Sequence, residues 1–337
     1  VMSVSLPMTT YAANWYLEDG SVTVNADNSR QTVTQGSTST PDEAPVITQR
    51  NSSAETSNTI TINASENATA NVTISDVNIN TSDAAVFTKG KGNVNIELDG
   101  TNTLKSSNWH AGLEKNNDGK LTITDKNENG KLIATGSRYG AGIGGGNQRN
   151  GSNITITGGE ITAIGGYNGA GIGGGNYKDG NDINIAGGKV TATGGDYGAG
   201  IGGGNQGNGK NITITGGEVT AAGGTNGAGI GGGLQKNGEK ITVSGDAALK
   251  VQGGSGDGWD GAGAGIGNGG NHNGEFSGSF IPVNAAETEP DTSNLTTGKI
   301  EYYAPGADMT KDEPTNTILG SGQPASPGET AAPVEYR

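Results

Sequence analysis

The motif GAGIGGG starts at Gly140 and returns at Gly169, Gly198 and Gly227, each step being 29 residues; it comes back altered as GAGIGNG at Gly263. A fixed period in this range marks a solenoid, a propeller or an array, in which each repeat packs only against its neighbours. Each repeat reads GAGIGGGN, a polar turn, NITITGG and then EITAIGG or its equivalent. That is three short runs of alternating apolar residues, each closed by glycines. An Ala-x-Val/Leu/Ile element extends the pattern beyond the clean repeats, at Ala84, Ala111, Ala141, Ala170, Ala199, Ala228 and Ala264, in steps of 27, 30, 29, 29, 29 and 36.

These features predict an all-β chain, a right-handed parallel β-helix solenoid with three strands per coil and about seven coils of 29-residue period. A left-handed helix would show hexapeptide periodicity, which is absent. Stacked coils place equivalent positions about 4.8 Å apart. Ile154, Ile183, Ile212 and Ile241 then form one inward ladder. Ile156, Ile185, Ile214 and Val243 form a second, and Ile161, Val190 and Val219 line the third side with the alanines two residues on. Four Ile-sized side chains per coil contribute roughly 6–12 kcal/mol gross, before chain entropy. Outward, Glu160, Lys189 and Glu218 alternate in sign, which disfavours a register slip. Asn150-Gly151, Asp179-Gly180, Asn208-Gly209 and Asn237-Gly238 read as turns.

The pattern divides the chain. Residues 1–13 resemble the end of a secretory signal peptide without its basic start: an apolar run from Val1 to Met8, then small residues at Thr10, Ala12 and Ala13. Residues 14–57 form an N-terminal cap with strand-like runs at Ser21–Asn25 and Arg30–Thr34 and a loop over Gln35–Pro45. Residues 58–283 are the β-helix. Residues 284–337 hold a capping strand near Lys299–Ala304 and a linker rich in Pro, Thr, Ser, Asp and Glu. No run is long enough to span a membrane.

Glycine is 64 of 337 residues, cysteine is absent, and the formal net charge is −14. The charge argues against nucleic acid, whose phosphates need clustered Lys and Arg. Without cysteine there is no thiol nucleophile and no thiolate metal site. His110 and His272 have no repeated acidic partner, and no Gly-x-Ser-x-Gly, His-Glu-x-x-His or P-loop pattern is present. Arginine stands only at Arg30, Arg50, Arg138, Arg149 and Arg337, too dispersed for a lyase-like cluster. No catalytic residue is assigned.

Candidate binding residues come from columns in the repeat. Trp109, Tyr139 and Tyr197 stand two residues before the Ala of the repeat, alternating with Asn168 and Asn226; Tyr167 lies beside that column and Trp259 near the last coil. Rings on alternate coils would lie about 9–10 Å apart and could stack on sugar faces; equally, they could shield turns. Asn147, Asn176 and Asn205 recur after the glycines, either to bond sugar hydroxyls or to form an amide ladder. In GAGIGGG, Ala and Ile point inward, so the glycines would form a bare outer strip for a flat ligand or a second solenoid, or else serve corners that need φ > 0. Asp179 and Asp182 in one turn, and Asp257 and Asp260 in another, are candidate Ca²⁺ ligands, although the Asp of Gly253-Gly254-Ser255-Gly256-Asp257 falls one place early for the Ca²⁺-binding nonapeptide. A Thr-x-Thr face, as at Thr155 and Thr157, is interrupted by Asn184, Ala186 and Ser244.

Over about Asn58–Gly270 the GAGIGGG, ITITGG and VTAxGG runs resemble those of secreted carbohydrate-binding-domain proteins of Gram-positive gut-type bacteria, right-handed β-helices similar in shape to pectate lyases. WYLEDGSVTV at Trp15–Val24 fits the opening of such modules. The resemblance implies extracellular polysaccharide binding, sometimes with Ca²⁺. The expected function is non-catalytic binding of an extended polysaccharide; the alternative is an adhesin or structural protein that contacts a host surface protein or another copy of itself.

Overall fold

A computed structural model describes residues 12–273 and 281–322. It is a right-handed parallel β-solenoid of about eight turns with a period near 29 residues. The sequence read as the signal-peptide end, except residues 12 and 13, and the tail from residue 323 lie outside the described residues. The described residues contain no helix long and apolar enough to cross a membrane.

One coil shows how the sequence makes the fold. Gly151–Ile156 lies in the first sheet, Glu160–Ile164 in the second, and Ile172–Gly173 in the third. Ile154, Ile156, Ile161, Ala163 and Ile172 point inward and are fully buried. The next coil repeats each position directly alongside: Ile154 pairs with Ile183, Ile161 with Val190, and Ile172 with Ile201. The backbone of each coil is therefore satisfied by the coils on either side, and the ladders merge into one continuous core. Outside, Lys131, Glu160, Lys189 and Glu218 occupy one register column of alternating charge, with Lys131 Nζ 3.4 Å from Glu160 Oε1.

The solenoid exceeds the expected seven coils at its N-terminal end. Val22–Ala26 pairs in parallel with Ile60–Ala64, which pairs with Val86–Gly90. These first strands use Val22, Val24, Ile60 and Ile62 as core residues without the Ala-x-Ile element, so that motif cannot count them. Gln31–Gln35 folds back antiparallel on Val22–Ala26. Within the stretch expected to be a loop, Thr38–Pro41 adds a further antiparallel strand. It is exposed along its length, and its proline limits further pairing at that edge.

The glycine runs follow the second of their two readings, corners that need φ > 0. Instead of a bare outer strip, Gly140–Gly146 and its equivalents are buried. The third side is a folded tip, not a flat wall: Ala141 N–H donates to Gly145 O at 2.9 Å, and Ala170, Ala199 and Ala228 repeat the bond to Gly174, Gly203 and Gly232. Backbone then lies where side chains would be. A Cβ on Gly173, whose φ is +136°, would sit 2.0 Å from Gly202 O. The Asn-Gly and Asp-Gly pairs serve the same packing. Left-handed φ falls earlier, at Gln148, Tyr177, Gln206 and Gln235. Gly151 and Gly180 are needed because a Cβ would meet the carbonyl oxygens of Gly173 and Gly202 at 1.8 and 2.0 Å. A left-handed residue inside each following strand, Asn153, Asp182, Asn211 or Lys240, re-aims the chain into the first sheet.

Gly173→Ala should lower unfolding free energy by about 3–5 kcal/mol, from left-handed strain and overpacking together. Gly258→Ala, which meets nothing within 4 Å, should change it by less than about 0.5 kcal/mol; urea unfolding of both variants checks the contrast.

Candidate functional site

The folded tip brings together two columns that are separate in the sequence. The N–H groups of Asn147, Asn176, Asn205 and Leu234 donate to the carbonyls of Trp109, Tyr139, Asn168 and Tyr197 at 2.7–2.9 Å. The aromatic turns and the asparagine column thus lie side by side along one edge. It crosses six turns, from Trp109 to Trp259, a length of about 24 Å at one strand spacing per step.

Trp109, Tyr167 and Trp259 are 63%, 41% and 62% exposed, and Tyr139 and Tyr197 are half-buried. The tyrosines do not stand as evenly spaced platforms. Tyr167 and Tyr197, on adjacent turns, meet edge to face with ring centroids 5.1 Å apart and planes at 80°. The Tyr167 hydroxyl donates to that of Tyr197 at 3.2 Å. That bond, with partial burial, pushes the Tyr197 pKa up to about 12. The Arg138 guanidinium lies 5.4 Å from the Tyr139 ring centre and 5.6 Å from that of Tyr167. Cation–π and edge-to-face contacts each hold such rings by about 0.5–1.5 kcal/mol, so the centre of the edge is held in shape before any ligand arrives.

The asparagines form a ladder. Asn176 Nδ2 donates to Asn147 Oδ1, and Asn205 Nδ2 to Asn176 Oδ1, both at 3.2 Å. Asn176 and Asn205 are buried, which leaves only the half-buried Asn147 near the surface. Leu234 ends the column, and Asn205 Oδ1 is left buried without a partner among the described residues.

The four aspartates support turns. Asp179 accepts from the backbone N–H and side chain of Asn208, and Asp182 from Asn211 Nδ2. Asp257 accepts from the N–H groups of Trp259 and Asp260. Asp260 bonds Gln235 Nε2 at 3.0 Å and His272 Nδ1 at 2.7 Å. Among the described residues no three His, Asp or Glu side chains gather into a metal-ligating group.

Sequence reasoning missed the polar groups at both ends of the edge. His272 pairs with Asp260 beside Trp259, and His110 Nδ1 lies 2.7 Å from Glu114 Oε2 beside Trp109. Glu114 occupies the register position of Gly144, and its carboxylate accepts from Ala111 N–H, the bond that a glycine carbonyl accepts in later coils. Trp109 itself has φ of +82°, unusual for a bulky residue. Lys115 follows, buried, with Nζ bonded to Asn117 O. The available signal was a break in the repeat: His, Glu and Lys where the pattern calls for glycine.

With the geometry in place, four segments, 128–147, 154–176, 183–205 and 212–234, match a family model described as a beta helix repeat. The protein is therefore a parallel β-helix solenoid in both its repeats and its structure. No curated protein and no solved structure matches the chain.

Burial holds the Lys115 amine down to about 8, against a usual 10.5, with Asp118 opposing the shift. Between those values the unfolded chain binds the proton that the folded chain lacks, so stability rises with pH. Lys115→Met should be more stable than wild type at pH 7. The difference should narrow by about 2–4 kcal/mol toward pH 10.5, as read from denaturant unfolding at several pH values.

Proposed function

We propose that the Trp109–Trp259 edge binds an extended polysaccharide outside the cell, without catalysis. The observation that carries this reading is a line of exposed and half-exposed rings along one face of a rigid solenoid, with the central tyrosines held by Arg138 and by each other. Sugars present apolar C–H faces to such rings and hydroxyls to flanking polar groups. A rise of about 4.8 Å per turn is close to the length of one sugar in an extended chain, so a glycan along the edge keeps step with the turns.

Because the Tyr167 and Tyr197 planes are nearly perpendicular, only one of them can lie flat against such a ligand. Trp109 and Trp259, at the two ends, are then the most exposed rings of the edge. With Asn176 and Asn205 buried, hydroxyl contacts fall to Asn147, Gln148, Arg138 and the exposed Asp196. A role for Ca²⁺ would need oxygens from the ligand to complete a shell around Asp257 or Asp179. The same exposed rings suit a protein partner, which is the outcome favoured if no glycan binds.

On a glycan array, the protein should give saturable binding to one polysaccharide class. Trp109→Ala and Trp259→Ala should each weaken it by about tenfold, or 1.4 kcal/mol, with unchanged unfolding midpoints. Arrays run with Ca²⁺ and with chelator decide whether the aspartate turns take part. A blank array, or full binding by the double variant, rejects the reading.

A further inference from the structure

The C-terminal end of the solenoid carries a second concave surface, lined by none of the residues of the aromatic edge. Lys299–Tyr303 continues the second sheet in parallel with Ala248–Gln252, and Asn316–Leu319 folds back on it antiparallel. Glu287 closes the last strand of the third sheet, its carboxylate accepting from Gly265 N–H at 2.7 Å and Ile266 N–H at 2.8 Å. Between these elements lies a groove of about 590 Å³, within the range of small-ligand sites.

Its walls combine two kinds of group. Tyr302, Pro290 and Ile318 supply ring and aliphatic surface, and among the described residues Glu287 and Glu289 are the only charged ones that line it. Tyr302 is 7% exposed, and its hydroxyl has no hydrogen-bond partner among the described residues. Burial and the two carboxylates push its pKa upward, as expected where the potential is negative. Tyr303, next along the strand, turns to the opposite face, where Lys250 Nζ lies 5.7 Å from its ring centre, tethered to Met309 O at 2.7 Å; the ring offered to the groove is that of Tyr302.

We infer that this groove binds an organic cation of the quaternary or alkylated ammonium class. Such ions are weakly hydrated and give up little solvation on entering. Ring faces attract them through the quadrupole, the carboxylates supply the countercharge, and the proline and isoleucine surfaces cover the alkyl groups. An anion would face two carboxylates with no lining cation among the described residues to offset them. A neutral ligand of the same shape would gain only the apolar contact.

Titration calorimetry of the whole protein at low salt tests this with choline chloride and with 3,3-dimethylbutan-1-ol, which has the same shape without the charge. Choline should bind saturably, and the alcohol should bind about tenfold more weakly or not at all. Glu289 makes no hydrogen bond among the described residues, so Glu289→Gln should leave the fold intact and weaken choline severalfold. Glu55→Gln, far away in the chain, should have no effect on it. Phosphocholine should bind more weakly than choline, because its phosphate meets the same carboxylates. Equal affinity for choline and the alcohol, an unchanged Kd in Glu289→Gln, phosphocholine binding as tight as choline, or no saturable choline binding would each overturn the inference.

Discussion

Backbone packed directly on backbone at the glycine tip is the constraint on which the rest of this molecule depends. The carbonyl of Gly202 lies where a Cβ of Gly173 would be, and Gly231 and Gly267 repeat the relation for Gly202 and Gly231. This contact lets each coil fold its third side into a tip held by the Ala141–Gly145 type of bond. With the tip closed, the third sheet shrinks to two-residue strands in the repeats and the core is narrow, which explains a core made of Ile, Val, Leu and Ala with few aromatics. In the glycine-rich repeats the aromatics Tyr139, Tyr167, Tyr177 and Tyr197 instead sit on turns, where there is room for them.

The architecture was legible in the sequence because a solenoid writes its period into the chain. The 29-residue step, the inward Ile ladders and the alternating Glu160–Lys189–Glu218 column follow from strand alternation and in-register stacking, and each appears in the pairing. Alternation alone places the glycines outward, so the sequence left both an outer strip and a positive-φ corner open. Their burial depends on a bond between residues four apart within a turn, a feature of chain path that no apolar pattern encodes. The first coils were undercounted for a related reason: Val22–Ala26 and Ile60–Ala64 bury the same kinds of side chain without the tip that the motif describes.

The candidate site was legible residue by residue but not as an arrangement. Trp109, Tyr139, Tyr167, Tyr197 and Trp259 share an edge, as their column suggests, yet the contact between Tyr167 and Tyr197 arises because Tyr167 sits one place out of column and reaches the next turn. Arg138 was noted only as one of few arginines; its position over two rings depends on side-chain direction. The asparagine ladder shows the limit of column reasoning. Identical residues at one strand spacing can serve each other as well as a ligand, and burial of Asn176 and Asn205 gives their amides to each other.

In a repeat protein the periodic positions are fixed by stacking, so a departure from the period carries a cost that some other requirement must offset. Here the departures collect at the ends of the aromatic edge. At one end, beside Trp109, His110, Glu114 and Lys115 replace the glycines of the next coil, and a carboxylate stands in for a backbone carbonyl. At the other, the step between repeats lengthens to 36 residues and the added loop carries Trp259 and Asp260, with His272 folded onto it. Each end thus pairs an exposed tryptophan with a histidine–carboxylate contact, while the turns between keep to the glycine pattern. Uniform coils alone would give an edge of indefinite length. These two interruptions bound it, with a ring and a polar pair at each limit.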